Sequence, residues 1–424
     1  MPLSSAMTMS STTPTLQALM RASRRNGLLL LELALLAVVA VSSLRSGEAP
    51  GRPSQAAKAS PVWQLDLQPF GFVRPKHDWQ ATDARISFTS GETVVPAWLS
   101  SSSPAVAVPS AGTRRQVPQR QLEALFLDAA TGKVRTKKEW PTGSQRGDFI
   151  PAGAGRFIVA TENDGSTLYS PAFDQLLRFE AGGALSVSPD GKTMLVKQER
   201  GPSLYTFRWI DLGSLQLLRS WDENGRENTW KGPEDINLLG GAIGPIYDDV
   251  MIRLLPPVGF LIRNLDGPWQ LVRVRHYPRI FEFQFVSREL LAGWFEGREY
   301  YGESYFSLIR TDGAVLLEQE FSSRFLRRPE ISADGRRIAL PILKGHGGSA
   351  FLDIGQKYSL SNIQVYDVPS RKWICTLSAK DAATKRLGGL GISPDGSLLA
   401  LISQDGVLRM FKIPEPSSKN ERRN

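Results

Sequence analysis

The chain has 424 residues, of which 41% are hydrophobic and 22% charged. These proportions are ordinary for a folded protein and exclude bulk disorder. The formal net charge is +9, and its basic residues are spread along the chain, so we expect no nucleic-acid partner. The single cysteine, Cys375, excludes an internal disulfide and a cysteine-based zinc site, and its apolar strand predicts a buried small side chain.

The first 44 residues predict export. Arg24 and Arg25 precede an apolar run over residues 28–44, and small residues around Ser42 could be cleaved by a signal peptidase. A membrane-spanning helix needs about 20 residues, so an uncleaved anchor is the alternative. The sequence thus predicts either a ring anchored in the inner membrane that faces the periplasm, or a periplasmic or secreted protein. Membrane contact would be through residues 28–44.

A flexible linker is predicted at residues 45–61, which are rich in Ser, Gly, Ala and Pro. Met20 would shorten the long segment before the apolar run, so both Met1 and Met20 are open as the start. From Val62 onward, the sequence predicts short strands. A pattern of apolar run, polar turn and apolar run recurs at intervals close to the length of a propeller blade, about 40–50 residues. The aspartates that mark it are Asp128, Asp174, Asp211, Asp266, Asp312 and Asp367.

Asp-Gly turns give the strongest local signal. Residues 389–413 read as three strands joined by two Asp-Gly turns, and an Asp-Gly pair between apolar runs is typical of a hairpin. Weaker copies surround Asp190 and Asp334. The repeated unit resembles the seven-bladed β-propeller families of the WD40-like and YVTN-like kind, whose blades often carry Ser-Pro-Asp-Gly between their first two strands. The Gly-His and Trp-Asp pairs of the WD40 pattern are absent from most blades.

The resemblance implies an all-β propeller, with seven four-stranded blades as the main expectation and six or eight as alternatives. The last blade has three strands of its own, so residues 62–67 are expected to supply the fourth and close the ring, which leaves no long unpaired edge. A polar tail covers residues 414–424. The predicted propeller covers residues 62–413, with blades near 81–140, 148–180, 184–221, 228–275, 280–321, 329–377 and 388–413.

Three inserts exceed hairpin length, at residues 100–120, 221–244 and 344–362. Long loops carry function more often than scaffold strands do. The first insert is rich in Ser, Pro and Ala and predicts a disordered tip. In the third, His346 is flanked by glycines on what reads as a long loop, where it could approach a ligand. A second candidate set of binding residues is a group of arginines around one blade, which predicts either an anion-binding patch or a solvated edge. These are Arg324, Arg327, Arg328, Arg336 and Arg337.

Catalytic residues are not predicted. His77, His276 and His346 fall in different blades or loops, and no Gly-x-Ser-x-Gly motif occurs. We therefore expect no metal and no cofactor. The favoured hypothesis is a non-catalytic exported propeller, a monomeric ring that binds a protein or envelope component. The alternative is a propeller enzyme or cofactor-binding protein, of the lyase, lactonase or quinoprotein-like kind, with a site at the central channel. Binding of sugar or peptidoglycan is a third possibility.

Overall fold

The chain divides into two units, Met1–Arg52 and Pro53–Asn424, and all residues that the structure describes belong to the second. The predicted export segment lies outside them, and so does most of the linker. Within the described part, no helix is long and apolar enough to cross a membrane. The structure, a computed structural model, describes residues 60–74, 84–100, 106–110, 113–117, 120–142, 147–161, 165–180, 184–227, 243–255, 258–274, 282–295, 303–322, 324–346 and 357–416.

The second unit is an all-β propeller of seven antiparallel, four-stranded blades, which confirms the predicted fold. The chain begins with β1 (Trp63–Asp66) and a short 3₁₀ helix (Gln68–Phe70). Blade 1 contains β2 (Ala84–Ser90), β3 (Thr93–Ser100), β6 (Gln121–Asp128) and β7 (Val134–Pro141), and β4 (Val106–Ser110) pairs with β5 (Thr113–Val117) in its insert. Blade 2 contains β8 (Gly147–Pro151), β9 (Phe157–Thr161), β10 (Gly165–Tyr169) and β11 (Gln175–Phe179). Blade 3 contains β12 (Ala184–Val187), β13 (Thr193–Gly201), β14 (Leu204–Asp211) and β15 (Leu217–Asn224).

The remaining blades follow the same order, from the centre of the ring outward. Blade 4 contains β16 (Ile246–Tyr247), β17 (Val250–Leu255), β18 (Gly259–Asn264) and β19 (Gln270–Arg273). Blade 5 contains β20 (Glu282–Ser287), β21 (Leu290–Phe295), β22 (Glu303–Arg310) and β23 (Val315–Ser322). In blade 6 the inner strand is split into β24 (Phe325–Leu326) and β25 (Glu330–Ile331), followed by β26 (Arg337–His346), β27 (Lys357–Asp367) and β28 (Lys372–Ser378). Blade 7 contains β29 (Leu387–Ile392), β30 (Leu398–Ser403) and β31 (Val407–Lys412), and its fourth strand is β1.

The ring is closed by the pairing of a strand near the start of the chain with the last strand of the chain. Trp63 lies opposite Met410 in the antiparallel pair of β1 and β31. Leu67, just beyond β1, is fully buried, and its backbone N–H donates to Gly406 O at 2.9 Å. Trp63 Nε1 also donates to Ala129 O in blade 1 at 2.9 Å. The closing segment therefore supplies the fourth strand of blade 7 and also attaches blade 7 to blade 1.

The hydrophobic core is divided among the joints between neighbouring blades. Each of the seven buried apolar clusters contains residues of two adjacent blades. In β6, Leu125 packs towards blade 7, whereas Phe126, on the other side of the sheet, packs towards blade 2. Since successive strand residues point to opposite faces, a strand between two neighbours needs apolar residues at every position. This explains the continuous apolar runs of the middle strands.

Three of the turns between first and second strands share one hydrogen-bond pattern. A buried serine hydroxyl donates to an aspartate Oδ1 two residues later at 2.6 Å and accepts a backbone N–H five residues later. The glycine that follows the aspartate has a φ of +68° to +70°, which an L side chain rarely adopts. The serines are Ser188, Ser332 and Ser393, and the aspartates are Asp190, Asp334 and Asp395.

The antiparallel order gives the ring two different faces. Turns between first and second strands and between third and fourth strands lie on one face, which we call the turn face. Connections between second and third strands and between blades lie on the opposite face, which we call the loop face. The strand ends that flank all three long inserts are on the loop face. Segment 413–416 is at the turn face, where Ile413 N–H donates to Ser397 O at 2.8 Å.

Two of the inserts differ from the expectation. The insert at 100–120 contains the hairpin of β4 and β5, with Val106 opposite Val117, rather than a wholly disordered tip. The third insert is shorter than predicted because β26 and β27 remain paired as far as His346 and Lys357. Consequently, His346 lies at the end of a strand and not within a long loop.

Candidate binding site at the channel mouth

The first strand of every blade faces the centre of the ring, where a propeller encloses a channel. In blade 1 this strand is β2, in which Ala84, Ile86 and Phe88 are buried while Arg85 is exposed. Arg85 Nε forms an ion pair with Asp148 Oδ1 of blade 2 at 2.9 Å. Their side chains remain 56% and 43% exposed, so the pair is accessible to a ligand. Both residues lie near the starts of their strands, which places them at the loop face.

Blade 6 contributes two arginines through a break in its inner strand. Pro329 has no N–H to donate to a ladder, and it separates β24 from β25. Arg327 Nη1 donates to Leu387 O of blade 7 at 2.9 Å. Arg328 points the other way, and its Nε and Nη2 each donate to Oε1 of Gln284 in blade 5 at 3.3 Å. The break therefore directs consecutive arginines to the two neighbouring blades.

Glu330 follows directly, with its backbone paired to Ala339. Burial raises the pKa of Glu330 to about 7, although the charges of Arg328 and Arg85 act to lower it. Its side chain keeps some accessible surface and is nevertheless surrounded by protein. No ion pair or hydrogen bond of its carboxyl occurs among the described residues.

Glycines between Glu330 and Arg85 bring these blades close together. The inner strand of blade 7, β29, lies between those of blades 6 and 1 and carries no charged side chain. A Cβ at Gly391 would lie 2.9 Å from Ile86 Cγ2, and one at Gly389 would lie 3.1 Å from Ala84 O. The absence of side chains therefore allows blade 7 to pack tightly on blade 1. As a result, Arg85 is within electrostatic reach of Glu330 across the intervening blade.

The predicted arginine patch is divided between the two faces. Arg324, Arg327 and Arg328 precede or interrupt the inner strand of blade 6 at the loop face, where the Arg324 carbonyl accepts from Ser304 Oγ at 2.8 Å. Arg336 is exposed in the turn that follows this strand, at the opposite face. Arg337 is buried, pairs with Asp367 and also contacts Glu415 at 3.0 Å. The five arginines therefore do not form one patch.

The histidines are not brought together in the described part of the chain. His346 occupies the last position of β26, opposite Lys357, while His77 and His276 lie outside the described residues. Among the described residues, no group of three or more His, Cys, Asp or Glu side chains could hold a metal ion. Cys375 is partly buried in β28, and burial raises the pKa of its thiol.

The mouth residues Arg85, Asp148, Gln284 and Glu330 are absent from the sequence-based candidates. Each is a polar residue in the first strand of a predicted blade, next to apolar neighbours. These polar positions can be recognised in the sequence, but the sequence does not show which residues of other blades they contact.

Comparison with known proteins does not assign the chain to a family. No protein-family model matches the chain, and no curated protein is significantly similar to it. The fold is therefore described by the structure alone, as a seven-bladed propeller of four-stranded antiparallel blades.

Proposed function

We propose that this protein is a non-catalytic binding module that contacts a protein or envelope partner through its loop face. The observation that supports this function is that the strand ends flanking all three long inserts lie on one face. On the loop face, the accessible charged pair Arg85–Asp148, the exposed Arg328 and the ends of the three inserts occur together. The turn face also carries exposed ion pairs, such as Arg288 with Asp249 at 2.8 Å, but its described turns are short and none of the three inserts begins or ends there.

We further propose that the ring acts outside the cytoplasm, as a monomer. The basic residues and apolar run at 24–44 support export, by cleavage or by anchoring in the inner membrane. The Ser-x-Asp-Gly turns support a distant relationship to the WD40-like and YVTN-like propellers. The proposal includes no cofactor and no nucleic acid.

Affinity capture tests the proposed face. The full chain, tagged at its C-terminus, is used to capture proteins from an envelope extract of its host. The variants are Lys385→Glu, an exposed lysine on the connection between blades 6 and 7 at the loop face, and Arg336→Glu, an exposed arginine at the turn face. We expect a specific partner whose recovery falls at least about fivefold with Lys385→Glu, since reversed charge at an interface costs affinity. Arg336→Glu is expected to recover the partner like the unaltered chain.

Equal recovery with both variants would contradict the loop-face assignment. Capture of nothing above the tag control would contradict the function itself. Both variants change one exposed cationic side chain to the same acid, so their net charges are equal and non-specific adsorption is matched.

One observation favours a second candidate, an enzyme with a site at the channel. A glutamate whose pKa lies near neutrality is a suitable general acid or base. Assays of the purified chain against lactone and uronate-type substrates, with Glu330→Gln as the control, test this function. Turnover that disappears in the variant would support the enzyme and displace the binding module.

A further inference from the structure

We propose that the loop-face mouth of the channel binds a carboxylate of an acidic polypeptide segment, held between Arg85 and Arg328 and hydrogen-bonded by Glu330. This inference rests on the proposed binding function and specifies the chemistry of the partner. It is carried by geometry: Arg85 and Arg328 are exposed at the loop-face ends of the inner strands of blades 1 and 6, and Glu330 lies two residues beyond Arg328. The glycine-rich strand of blade 7 lies between the two blades.

Both arginines retain donors for a ligand. A guanidinium has five N–H groups in a planar fork that matches a carboxylate. Arg328 uses Nε and Nη2 for one acceptor, Gln284 Oε1, at 3.3 Å, which is long for a charge-assisted bond. Arg85 uses Nε for Asp148, and no bond of its two terminal nitrogens occurs among the described residues. Each guanidinium therefore retains N–H groups that could donate to a carboxylate, and the ion pair of Arg85 with Asp148 would remain intact.

Glu330 determines the sign of the charge that this site accepts. A charged Glu330 would repel an incoming carboxylate, whereas a neutral carboxyl can donate a hydrogen bond to it. Burial favours the neutral form, and the nearby arginines do not pair with it directly. The charged groups that act on Glu330 are Arg328 and Arg85. Of the neighbouring strands, β29 carries no charged residue, β20 carries Glu282, and β26 carries Arg337 at its turn-face end and Lys344 and His346 at its loop-face end.

The rim of the mouth also favours an acidic partner. Among the charged residues of the described connections that lead into the inner strands of blades 6 and 7, most are cationic. The acidic residue there is Asp381, whose Oδ2 accepts a hydrogen bond from Ser378 Oγ at 2.5 Å. Such a rim raises the local concentration of an anionic segment and speeds its association. Its cationic residues are Arg324, Arg327, Arg328, Lys380, Lys385 and Arg386.

A direct binding assay tests the inference with the full chain. The probe is a short fluorescein-labelled oligoglutamate, followed by fluorescence anisotropy at low salt, with an equally long oligolysine as the control probe. We expect oligoglutamate to bind and oligolysine to fail. Arg328→Gln and Arg85→Gln should each weaken oligoglutamate binding about tenfold, because each removes a charged donor. The matched variant Arg336→Gln removes an exposed arginine at the turn face and should bind normally.

The role of Glu330 has its own readout. We expect the unaltered chain to bind oligoglutamate more tightly at about pH 6 than at about pH 8, because the neutral form of Glu330 predominates below about pH 7. Glu330→Gln is permanently neutral, so it should bind equally at both values. Circular dichroism of each variant verifies that the fold is retained.

Several outcomes would overturn the inference. These are equal affinities of Arg328→Gln and Arg336→Gln, a preference for oligolysine, or an unchanged pH dependence in Glu330→Gln. Competition by inorganic phosphate as strong as that by unlabelled oligoglutamate would remove the assignment to a carboxylate. If Lys385→Glu lowers partner capture while oligoglutamate does not bind, the chemistry proposed here is wrong and the binding function stands. If the chain captures no partner and also does not bind oligoglutamate, the binding function is contradicted as well.

Discussion

The hydroxyl of Ser393 donates to Asp395 Oδ1 at 2.6 Å and accepts the backbone N–H of Leu398 at 2.9 Å. This small network connects the first two strands of blade 7. Although burial acts to raise it, hydrogen bonds from Ser393 and Ser397 hold the pKa of Asp395 below its ordinary value. The same geometry in blades 3 and 6 makes this turn a repeated structural unit of the ring.

Ser393→Ala should destabilise the ring. The hydroxyl is buried, so its removal leaves the Leu398 N–H without its acceptor, and we expect the free energy of unfolding to fall by about 1–3 kcal/mol. The pKa of Asp395 should also rise, because a donor to its charged form is lost. Urea unfolding and NMR titration measure the two effects. Ser397→Ala, at a less buried hydroxyl that bonds the same carboxylate, is the control and should lose less stability.

Arg337→Gln should be among the more damaging single substitutions. Arg337 and Asp367 are both buried, so removal of the guanidinium leaves a buried carboxylate without its counter-charge, at a cost of about 3–5 kcal/mol. Thermal unfolding followed by circular dichroism gives the measurement. The adjacent Arg336→Gln changes an exposed side chain and is expected to lie within about 0.5 kcal/mol of the unaltered protein. Comparable losses in both would show that the ion pair is not structural.

The stability of the ring should depend on Glu330 in a defined pH window. Between its ordinary pKa of 4.5 and the folded value of about 7, the unfolded chain releases the Glu330 proton while the folded chain retains it. The contribution of Glu330 to the free energy of unfolding therefore falls as pH rises through this window and is constant above it.

Glu330→Gln should remove that decline and be more stable than the unaltered chain at about pH 8, by about 1–3 kcal/mol after allowance for partial solvent access. Urea unfolding across the window measures the slope. Glu282→Gln, at an exposed glutamate of the neighbouring inner strand, should keep the slope of the unaltered chain. An identical pH slope in Glu330→Gln would contradict the assigned pKa.

Leu67→Ala tests the closure of the ring. Leu67 is fully buried in the core between blades 7 and 1, and truncation of such a side chain costs about 2–5 kcal/mol. We also expect more aggregation, because weaker docking of β1 exposes the edge of β31. Val62→Ala, at a residue that is 54% exposed at the other end of β1, is the control. Size-exclusion chromatography and thermal unfolding would show equal behaviour of the two variants if closure did not depend on Leu67.

The fold could be predicted from the sequence because its signals are local. Asp-Gly pairs such as Asp395–Gly396 specify turns through their own hydrogen bonds and a positive φ at the glycine. The continuous apolar run around Leu125 indicates a strand covered on both faces. The length of β26 and β27 was predicted wrongly, because the pairing of Lys344 with Ser359 depends on cross-strand contacts that composition does not reveal.

The candidate site was decided by tertiary structure. Local patterning could suggest that Arg324 to Arg337 belong to one region, yet the inner strand of blade 6 carries Arg328 and Arg336 to opposite faces. Conversely, Arg85 and Glu330 are far apart in the chain and come within electrostatic reach only when blade 7 closes against blade 1. The sequence by itself determined the positions of most strands and turns, since these depend on neighbouring residues, whereas the structure decided for seven blades over six or eight. Only the closed ring decided which charged groups share the channel mouth, because their desolvation and their interactions arise from packing between blades.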